Sequence, residues 1–331
     1  MAAPNGERLE YLSLEFVRVT ELAAIAAAQW VGKGDSHAAD RDAVDAMRKA
    51  FNEIDFSGEI VIGEGAKDEA AELYVGEKVG RNGGPLVDIA VDPLECTDSV
   101  AYGRPNAIAV IATGPKGTLY RAADSYMDKI AVGPGAAPVI DLDASVKDNI
   151  EKTAKALGKD VREITVSMLD RDRHKDLINE VRATGARIRL FTDGDVAMAI
   201  ATCLHGSSVD MLMGRGGSAE AVLAAAGLKT LGGELLCRWK PKDEKHVKRL
   251  NEAGVSNFDQ IFRVADLVKG ENITFTATGV LGGPLVTGVH FTPTYTLTHS
   301  IVISSNPRRI RFLKTRHLTD HIIKRTPTKS P

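Results

Sequence analysis

Three carboxylates stand where strands are expected to end. Glu64 sits in Gly63-Glu64-Gly65, directly after Glu59-Ile60-Val61-Ile62. Asp92 and Glu95 sit in Asp92-Pro93-Leu94-Glu95, directly after Val87-Asp88-Ile89-Ala90-Val91. An apolar strand that ends in acids is costly unless something neutralises them. The carboxyl ends of strands are also where α/β proteins bind ligands. Gathered carboxylates suit hard divalent cations such as Mg²⁺ or Mn²⁺, which take oxygen ligands. Two such ions side by side assist phosphoryl transfer at both the attacking and the leaving oxygen. The chemistry to expect is metal-dependent hydrolysis of a phosphate ester.

Alternating elements must hold these acids. An alanine-rich helix is predicted from about Ser13 to Trp30, with Phe16, Leu22, Ala23 and Ala27 on one face. Gly32-Lys33-Gly34-Asp35 breaks it, and a second helix runs to about Phe51 with Val44, Met47 and Phe51 at helical spacing. Strands follow near 58–63, 86–92 and 106–113. From about 146 the order is helix 148–158, strand 163–169, helix 174–183, strand 186–191, helix 195–204, strand 208–213, helix 218–227 and strand 232–238. Strand-like runs return near 272–279, 285–291, 298–304 and 308–315. Strands alternating with helices argue for α/β layering. The chain reads as one unit over 1–331, with a soft seam near 140–147 at Ile140-Asp141-Leu142-Asp143.

Composition narrows the function classes. The chain has 331 residues, 44% apolar and 26% charged, which fits a globular protein with a large core. A formal net charge of −2 gives no general pull toward nucleic acid or anionic membrane. No apolar run approaches the roughly 18 residues of a membrane span. The segment Met1–Arg8 lacks the apolar core of a signal peptide. Three scattered cysteines, Cys96, Cys203 and Cys237, suit a reducing compartment, and a cytoplasmic location is expected.

Further motifs complete a pattern. They are Tyr126-Met127-Asp128-Lys129-Ile130-Ala131-Val132-Gly133-Pro134, Asp170-Arg171-Asp172-Arg173-His174, Asp193-Gly194-Asp195-Val196-Ala197, Gly216-Gly217-Ser218-Ala219-Glu220 and Ala277-Thr278-Gly279-Val280. With Val61-Ile62-Gly63-Glu64-Gly65 and Val91-Asp92-Pro93-Leu94-Glu95-Cys96-Thr97, their order resembles the lithium-sensitive sugar-phosphatase superfamily. Within it the chain is similar to bacterial class II fructose-1,6-bisphosphatase of the GlpX type, from roughly Leu14 to His317. The resemblance implies a layered α/β/α/β/α sandwich with the active site between two halves. It implies two or more Mn²⁺ or Mg²⁺ ions held by Asp40, Glu64, Asp92, Glu95, Glu220 and the carbonyl of Leu94. Thr97 would orient the attacking water, with Asp92 and Glu64 sharing the catalytic role. Tyr126, Arg171 and Arg173 would grip the remote phosphate, and Asp193 and Asp195 the sugar hydroxyls. Glu95, Cys96, Asp172, Gly194 and Gly217 fall in the implied substrate-binding motifs. The implied partner is a sugar bisphosphate, and the implied assembly a homodimer or homotetramer.

Each motif alone also has an ordinary reading. Asp35 or Asp40 could cap a helix, Glu64 and Asp92–Glu95 could be turn acids, and Asp193-Gly194-Asp195 a turn and N-cap. Arg171–His174 could be a solvated helix start, and Gly216-Gly217 a packing device. His37, His174 and His317 read as surface or helix-start residues. Several positions depart from the family pattern. Ser36 replaces a lysine, Ala66 an acid and Cys96 a glycine; Asp172 and Ala219 replace prolines, and Arg215 an apolar residue. At Cys96 a requirement for positive φ would cost on the order of 1 kcal/mol. Two other functions fit the same motifs. One is hydrolysis of sedoheptulose 1,7-bisphosphate, alone or with the fructose compound. The other is a degenerate homologue that only binds a ligand or partner. A monophosphate such as an inositol phosphate fits less well, because Arg171 and Arg173 imply a second anion. The basic run Arg308, Arg309, Arg311, Lys314, Arg316, Lys324, Arg325 and Lys329, opposed by Asp320, lacks an aromatic platform and reads as a solvated strand face and tail rather than a nucleic-acid surface.

Overall fold

The structure, a computed structural model, describes residues 5–65 and 72–318, with backbone alone for residues 5–10. Ala66 and the tail residues Asp320, Lys324, Arg325 and Lys329 lie outside the described residues. The first part of the chain runs α1 (Asn5–Ala28), α2 (Ser36–Phe51), β1 (Ser57–Ile62), β2 (Lys78–Val79), β3 (Leu86–Glu95), α3 (Thr97–Tyr102) and β4 (Ile108–Pro115). The middle runs β5 (Tyr126–Val132), α4 (Val146–Leu157), β6 (Thr165–Leu169), α5 (Lys175–Ala183), β7 (Arg187–Phe191), α6 (Val196–Ala201), β8 (Met211–Gly217), α7 (Ser218–Leu231), β9 (Glu234–Trp239), α8 (Glu244–Glu252), β10 (Ile261–Phe262) and α9 (Val264–Leu267). The last part adds β11 (Thr274–Gly279), β12 (His290–Phe291), β13 (Tyr295–Ser305) and β14 (Arg308–Leu318).

Two sheets result. The first takes strands from both ends of the chain, in the order β12-β13-β11-β4-β3-β1-β2, with β14 beside β13. The second is built from the middle, in the order β10-β9-β5-β8-β6-β7. The period-two alternation of strands separates the layers. On β4, Ala107 (just before it), Ala109 and Ile111 pack toward α1 and α2, with Phe16, Met47 and Phe51. Ile108, Val110 and Ala112 face a central layer made by α6 and α7. That central cluster reaches Met127, Ala131 and Leu212 of the second sheet, so one apolar core joins both sheets. The far face of the second sheet, with Ile130, Val166, Met211 and Met213, is covered by Ile150 of α4 and Ile178 and Val181 of α5. The layers are α/β/α/β/α, as the motifs implied.

Several boundaries differ from the sequence reading, each for a physical reason. The run 285–291 pairs only at His290–Phe291. Its earlier half lies flat on the chain before it: a Cβ at Gly279 would meet the Thr287 carbonyl oxygen at 2.2 Å. The strand predicted at 208–213 begins at Met211 and continues to Gly217, delivering the glycine pair directly to α7. Strand β5 gives no strand signal in the sequence, because Asp128 and Lys129 interrupt its apolar pattern. It is nevertheless paired on both sides, with β8 and β9. Helix α8 is largely exposed and polar, with only Leu250 buried, and gave no apolar run to notice. The segment Ile140–Asp143 connects β5 to α4, where Asn149 holds the backbone of Asp141 in both directions.

Candidate active site

The aim of Asp92 and Glu95 follows from a bulge. Three residues apart on a regular strand, they would face opposite sides. On β3, however, Asp92 stands opposite Val110 of β4 and Glu95 opposite Ile108, so three steps on one strand match two on the other. Pro93, which has no N–H to give the ladder, lies within the bulge. Val110 and Ile108 both face the central layer, and cross-strand partners share a face. Both acids therefore point between the sheets. The Asp92 carboxylate is steadied by the Leu94 N–H at 3.1 Å. Glu64 follows β1 after Gly63, whose place admits no side chain: a Cβ there would meet the Leu73 carbonyl oxygen at 2.0 Å. Asp40 comes from the second turn of α2, which Asp35 caps through the Ala38 N–H at 2.9 Å.

These acids line one cavity of about 840 Å³, together with Leu94, Cys96, Thr97, Asp193, Gly194 and Glu220. A second cavity of about 380 Å³ is lined by Tyr126, Arg171, Arg173, Asp193, Gly194, Asp195, Gly217 and Glu220. The two share Asp124, Asp193, Gly194, Ser218, Ala219 and Glu220, and form one cleft. Asp172 lines neither: its carboxylate is 93% exposed and pairs with Lys175 at 2.9 Å. As a residue in the substrate motif it is placed outside the cleft, because the short turn that aims Arg171 and Arg173 inward leaves the residue between them facing water.

The acid cavity is electrostatically unfavourable by itself. Burial pushes the Glu64 carboxyl up to about 7, with a further push from Asp40. Asp92 is raised well above the usual range by burial and then by Glu64, Glu95, Glu220 and Asp40. Glu95 is raised by burial, against the Val196 N–H that it accepts at 3.0 Å. Its other oxygen, Oε2, is buried with no hydrogen-bond partner. Glu220 is raised by burial, while Lys129 opposes the rise. A buried, unsatisfied carboxylate oxygen among mutually repelling acids is a donor set for a hard cation. Two glycines are cut to it: a Cβ at Gly217 would strike Glu220 Oε2 at 2.2 Å, and one at Gly194 would strike Glu95 Oε1 at 2.8 Å. Among the described residues no three Asp, Glu, His or Cys side chains already close into a metal cage. By type, these oxygens fit hard divalent ions.

The arginine-walled end is held by paired groups. Arg171 reaches Asp193 at 3.4 Å. Arg173 lies over the Tyr126 ring at 5.3 Å and donates to the Arg215 carbonyl at 2.9 and 3.2 Å. Asp195 occupies the N-cap position of α6 but caps nothing with its side chain. Both its oxygens instead accept from Lys129, at 2.8 and 3.1 Å, with the two side chains 2% and 7% exposed. Burial lowers the Lys129 pKa, and the larger opposing pull of Asp195 and Glu220 leaves it raised. Nothing in the sequence marked Lys129 as more than part of a motif. Its charge is legible only once β5 is known to turn residues 127, 129 and 131 toward the central layer.

His174 is not a surface residue. It is 2% exposed, bonds the Leu169 carbonyl through Nδ1 at 2.8 Å and accepts the Arg215 N–H at Nε2 at 2.8 Å. That wiring makes the ring neutral and ties the Arg171–Arg173 turn to β8. His317 is also largely covered, bonding Thr298 at 2.9 Å. Ser218 Oγ donates to the Ala123 carbonyl at 2.6 Å, and the Ser218 N–H donates to the Ser125 carbonyl, fixing the start of α7.

Cys96 has φ 73° and ψ 50°, the left-handed region that a glycine adopts without cost. Its thiol fills the place in front of Gly194, where a Cβ would meet Sγ at 2.3 Å. Cys96→Gly is therefore expected to raise kcat several-fold with metal preference unchanged, since relaxed backbone there resets both Glu95 and Thr97. Burial and the neighbouring acids hold the thiol protonated, so mild peroxide is expected to leave the enzyme active. An unchanged kcat in the glycine variant, with reversible loss of wild-type activity in peroxide, would make Cys96 a redox switch instead.

An acid-walled cavity opening into an arginine-walled one, between the two sheets of a five-layer fold, is the layout of a hydrolase acting on phosphate esters. Comparison with known proteins gives the family. The profile of bacterial fructose-1,6-bisphosphatase, glpX-encoded, matches residues 10–317. The chain is 42% identical over 321 residues to fructose-1,6-bisphosphatase 1 class 2 of Escherichia coli K12, covering 93% of this chain and 96% of that protein. The class 2 enzyme of Shigella flexneri matches to the same extent. A solved extragenic suppressor from Pyrococcus furiosus aligns over 58% of this chain and 70% of its own at 13% identity, with a TM-score of 0.30. The chain belongs to the glpX-type, class 2 fructose-1,6-bisphosphatase family, whose members are metal-dependent phosphoric monoester hydrolases.

Proposed function

We propose that the protein hydrolyses the 1-phosphate of fructose 1,6-bisphosphate to fructose 6-phosphate and phosphate, with two or more Mn²⁺ or Mg²⁺ ions. The observation that carries the reading is the joined cleft, five repelling acids at one end and two arginines at the other. Asp40, Glu64, Asp92, Glu95, Glu220 and the Leu94 carbonyl would hold the ions. When bound, such ions neutralise the phosphate and the departing sugar oxygen. Thr97 Oγ donates its own hydrogen to the Leu94 carbonyl at 3.2 Å. Its oxygen is thereby left to accept from a water, turning a water lone pair toward phosphorus. The new P–O bond forms as the P–O1 bond breaks; the attacking water gives a proton to solvent, and the departing sugar O1 takes one up from solvent to become the hydroxyl. Arg171, Arg173 and Tyr126 bind the 6-phosphate, arginine being suited by its planar fork. Asp193 accepts from sugar hydroxyls; Asp195, expected to do the same, has both oxygens taken by Lys129 and instead braces the floor beneath them. The chain acts as a single unit, in the cytoplasm, as a homo-oligomer. Among the described residues no helix is long and apolar enough to cross a membrane.

Steady-state phosphate release tests this. Turnover of fructose 1,6-bisphosphate is expected with Mn²⁺ or Mg²⁺, to vanish with chelator and return with metal. Running sedoheptulose 1,7-bisphosphate alongside ranks the two sugars. Full turnover in metal-free buffer, or none with metal, overturns the reading. Arg173→Ala is expected to raise KM for the bisphosphate about tenfold or more, the worth of a charged hydrogen bond, with kcat little changed. A monophosphate should be unaffected; equal losses on both would place Arg173 at the reacting phosphate.

A further inference from the structure

We infer that α8 is a recognition wall of the cleft, with Arg249 facing the phosphate that reacts and His246 facing the phosphate that stays. The two residues are three apart on one helix and so lie on one face. Arg249 lines the acid cavity, and among the described residues lining that cavity it is the single basic one. His246 lines the adjoining cavity with Tyr126, Arg171 and Arg173. One helix face thus presents a cationic group to one end of the cleft and an imidazole to the other.

Both side chains are held in place rather than loose. Arg249 forms an ion pair with Asp124, in the segment that joins the two sheets and borders both cavities. Asp243 caps α8 by accepting the His246 N–H at 3.0 Å and bonds the ring Nδ1 at 2.7 Å. The ring then stands edge-on to Tyr126 at 5.5 Å, on the ring whose face carries Arg173. Glu252 also lines the acid cavity, and Lys248 lies 3.7 Å from it. An acid cavity that must admit a dianion gains from a cation in its wall. Among the described residues lining that cavity, Arg249 supplies this positive charge.

The inference rests on the phosphatase reading, so its test uses binding as well as turnover. Calorimetry on the full-length, Mn²⁺-loaded protein would use two probes, inorganic phosphate and fructose 6-phosphate. Arg249→Ala is expected to weaken inorganic phosphate about tenfold and fructose 6-phosphate less than twofold, with Arg249→Lys recovering most of the loss. His246→Ala should weaken fructose 6-phosphate several-fold and leave inorganic phosphate within twofold. Folding should survive, because the Asp124 carboxylate left behind is 75% exposed and the Asp243 cap keeps its backbone bond. Wild-type affinities in both variants, or the same loss for both ligands in either variant, would overturn the assignment. So would a wild-type protein that binds neither probe. A wild-type protein that binds both but releases no phosphate from the bisphosphate would sink the catalytic reading alone.

Discussion

Asp92→Asn is expected to cut kcat by about 100-fold or more while leaving the protein better folded in the absence of metal. The two effects have one cause. Asp92 is buried against Glu64, Glu95, Glu220 and Asp40, and this crowding is what raises its carboxyl. An amide of the same shape removes repulsion from the metal-free cluster and takes an anionic oxygen from the proposed metal site. Stabilisation by Mn²⁺ follows from its affinity for the folded form. The readout is therefore a pair of melting curves. Wild type should gain several degrees on adding Mn²⁺; Asp92→Asn should start higher without metal and gain little. A variant that melts lower without metal and still responds fully to Mn²⁺ would show that Asp92 is a packing residue.

Lys129→Met should cost about 3–5 kcal/mol of folding stability, the penalty for leaving a buried charge without its partner. Both oxygens of Asp195 would lose their donor at a site where the two side chains are 2% and 7% exposed. A Cβ at Gly216 would strike Asp195 Oδ2 at 2.2 Å and approach Lys129 Nζ at 3.0 Å, so the strand above leaves no room for compensating movement. The double variant Lys129→Met/Asp195→Asn should recover much of that loss, because no unpaired charge remains. Denaturant titration of the metal-free protein measures both. A single variant within about 1 kcal/mol of wild type would mean that Asp195 finds solvent or another donor.

What the sequence made legible follows from range of interaction. Glu64, Asp92 and Glu95 could be read because strand and acid are neighbours along the chain. At Cys96 the glycine usual in the family raises the question of a left-handed backbone without settling it, and the structure places the residue at φ 73°. The bulge that turns Asp92 and Glu95 to one side could not be read, since it exists only against β4. Lys129 was hidden because a charged residue in mid-strand looks like an interruption until its partner, on another element, is known. His246 and Arg249 were hidden for the opposite reason: a polar helix on the outside offers no pattern that separates a cleft-facing charge from a solvated one. Asp172 misled because adjacency to two arginines in sequence is not adjacency in space.

The first sheet imposes an order on assembly. Strand β4 is flanked on one side by β3, close behind it in the chain, and on the other by β11, with Ile108 opposite Gly279. Everything that builds the second sheet is synthesised between those two neighbours. Until β11 arrives, the nascent chain carries an apolar strand with one row of peptide groups open, the kind of edge that recruits the wrong partner. The intervening strands β5 to β10 need nothing from the C-terminal part to pair among themselves. Closing the long loop from β4 to β11 is entropically cheapest after that intervening chain has already become compact. A chain stopped before Thr274 should therefore be aggregation-prone through β4, even though every proposed metal acid has already been made.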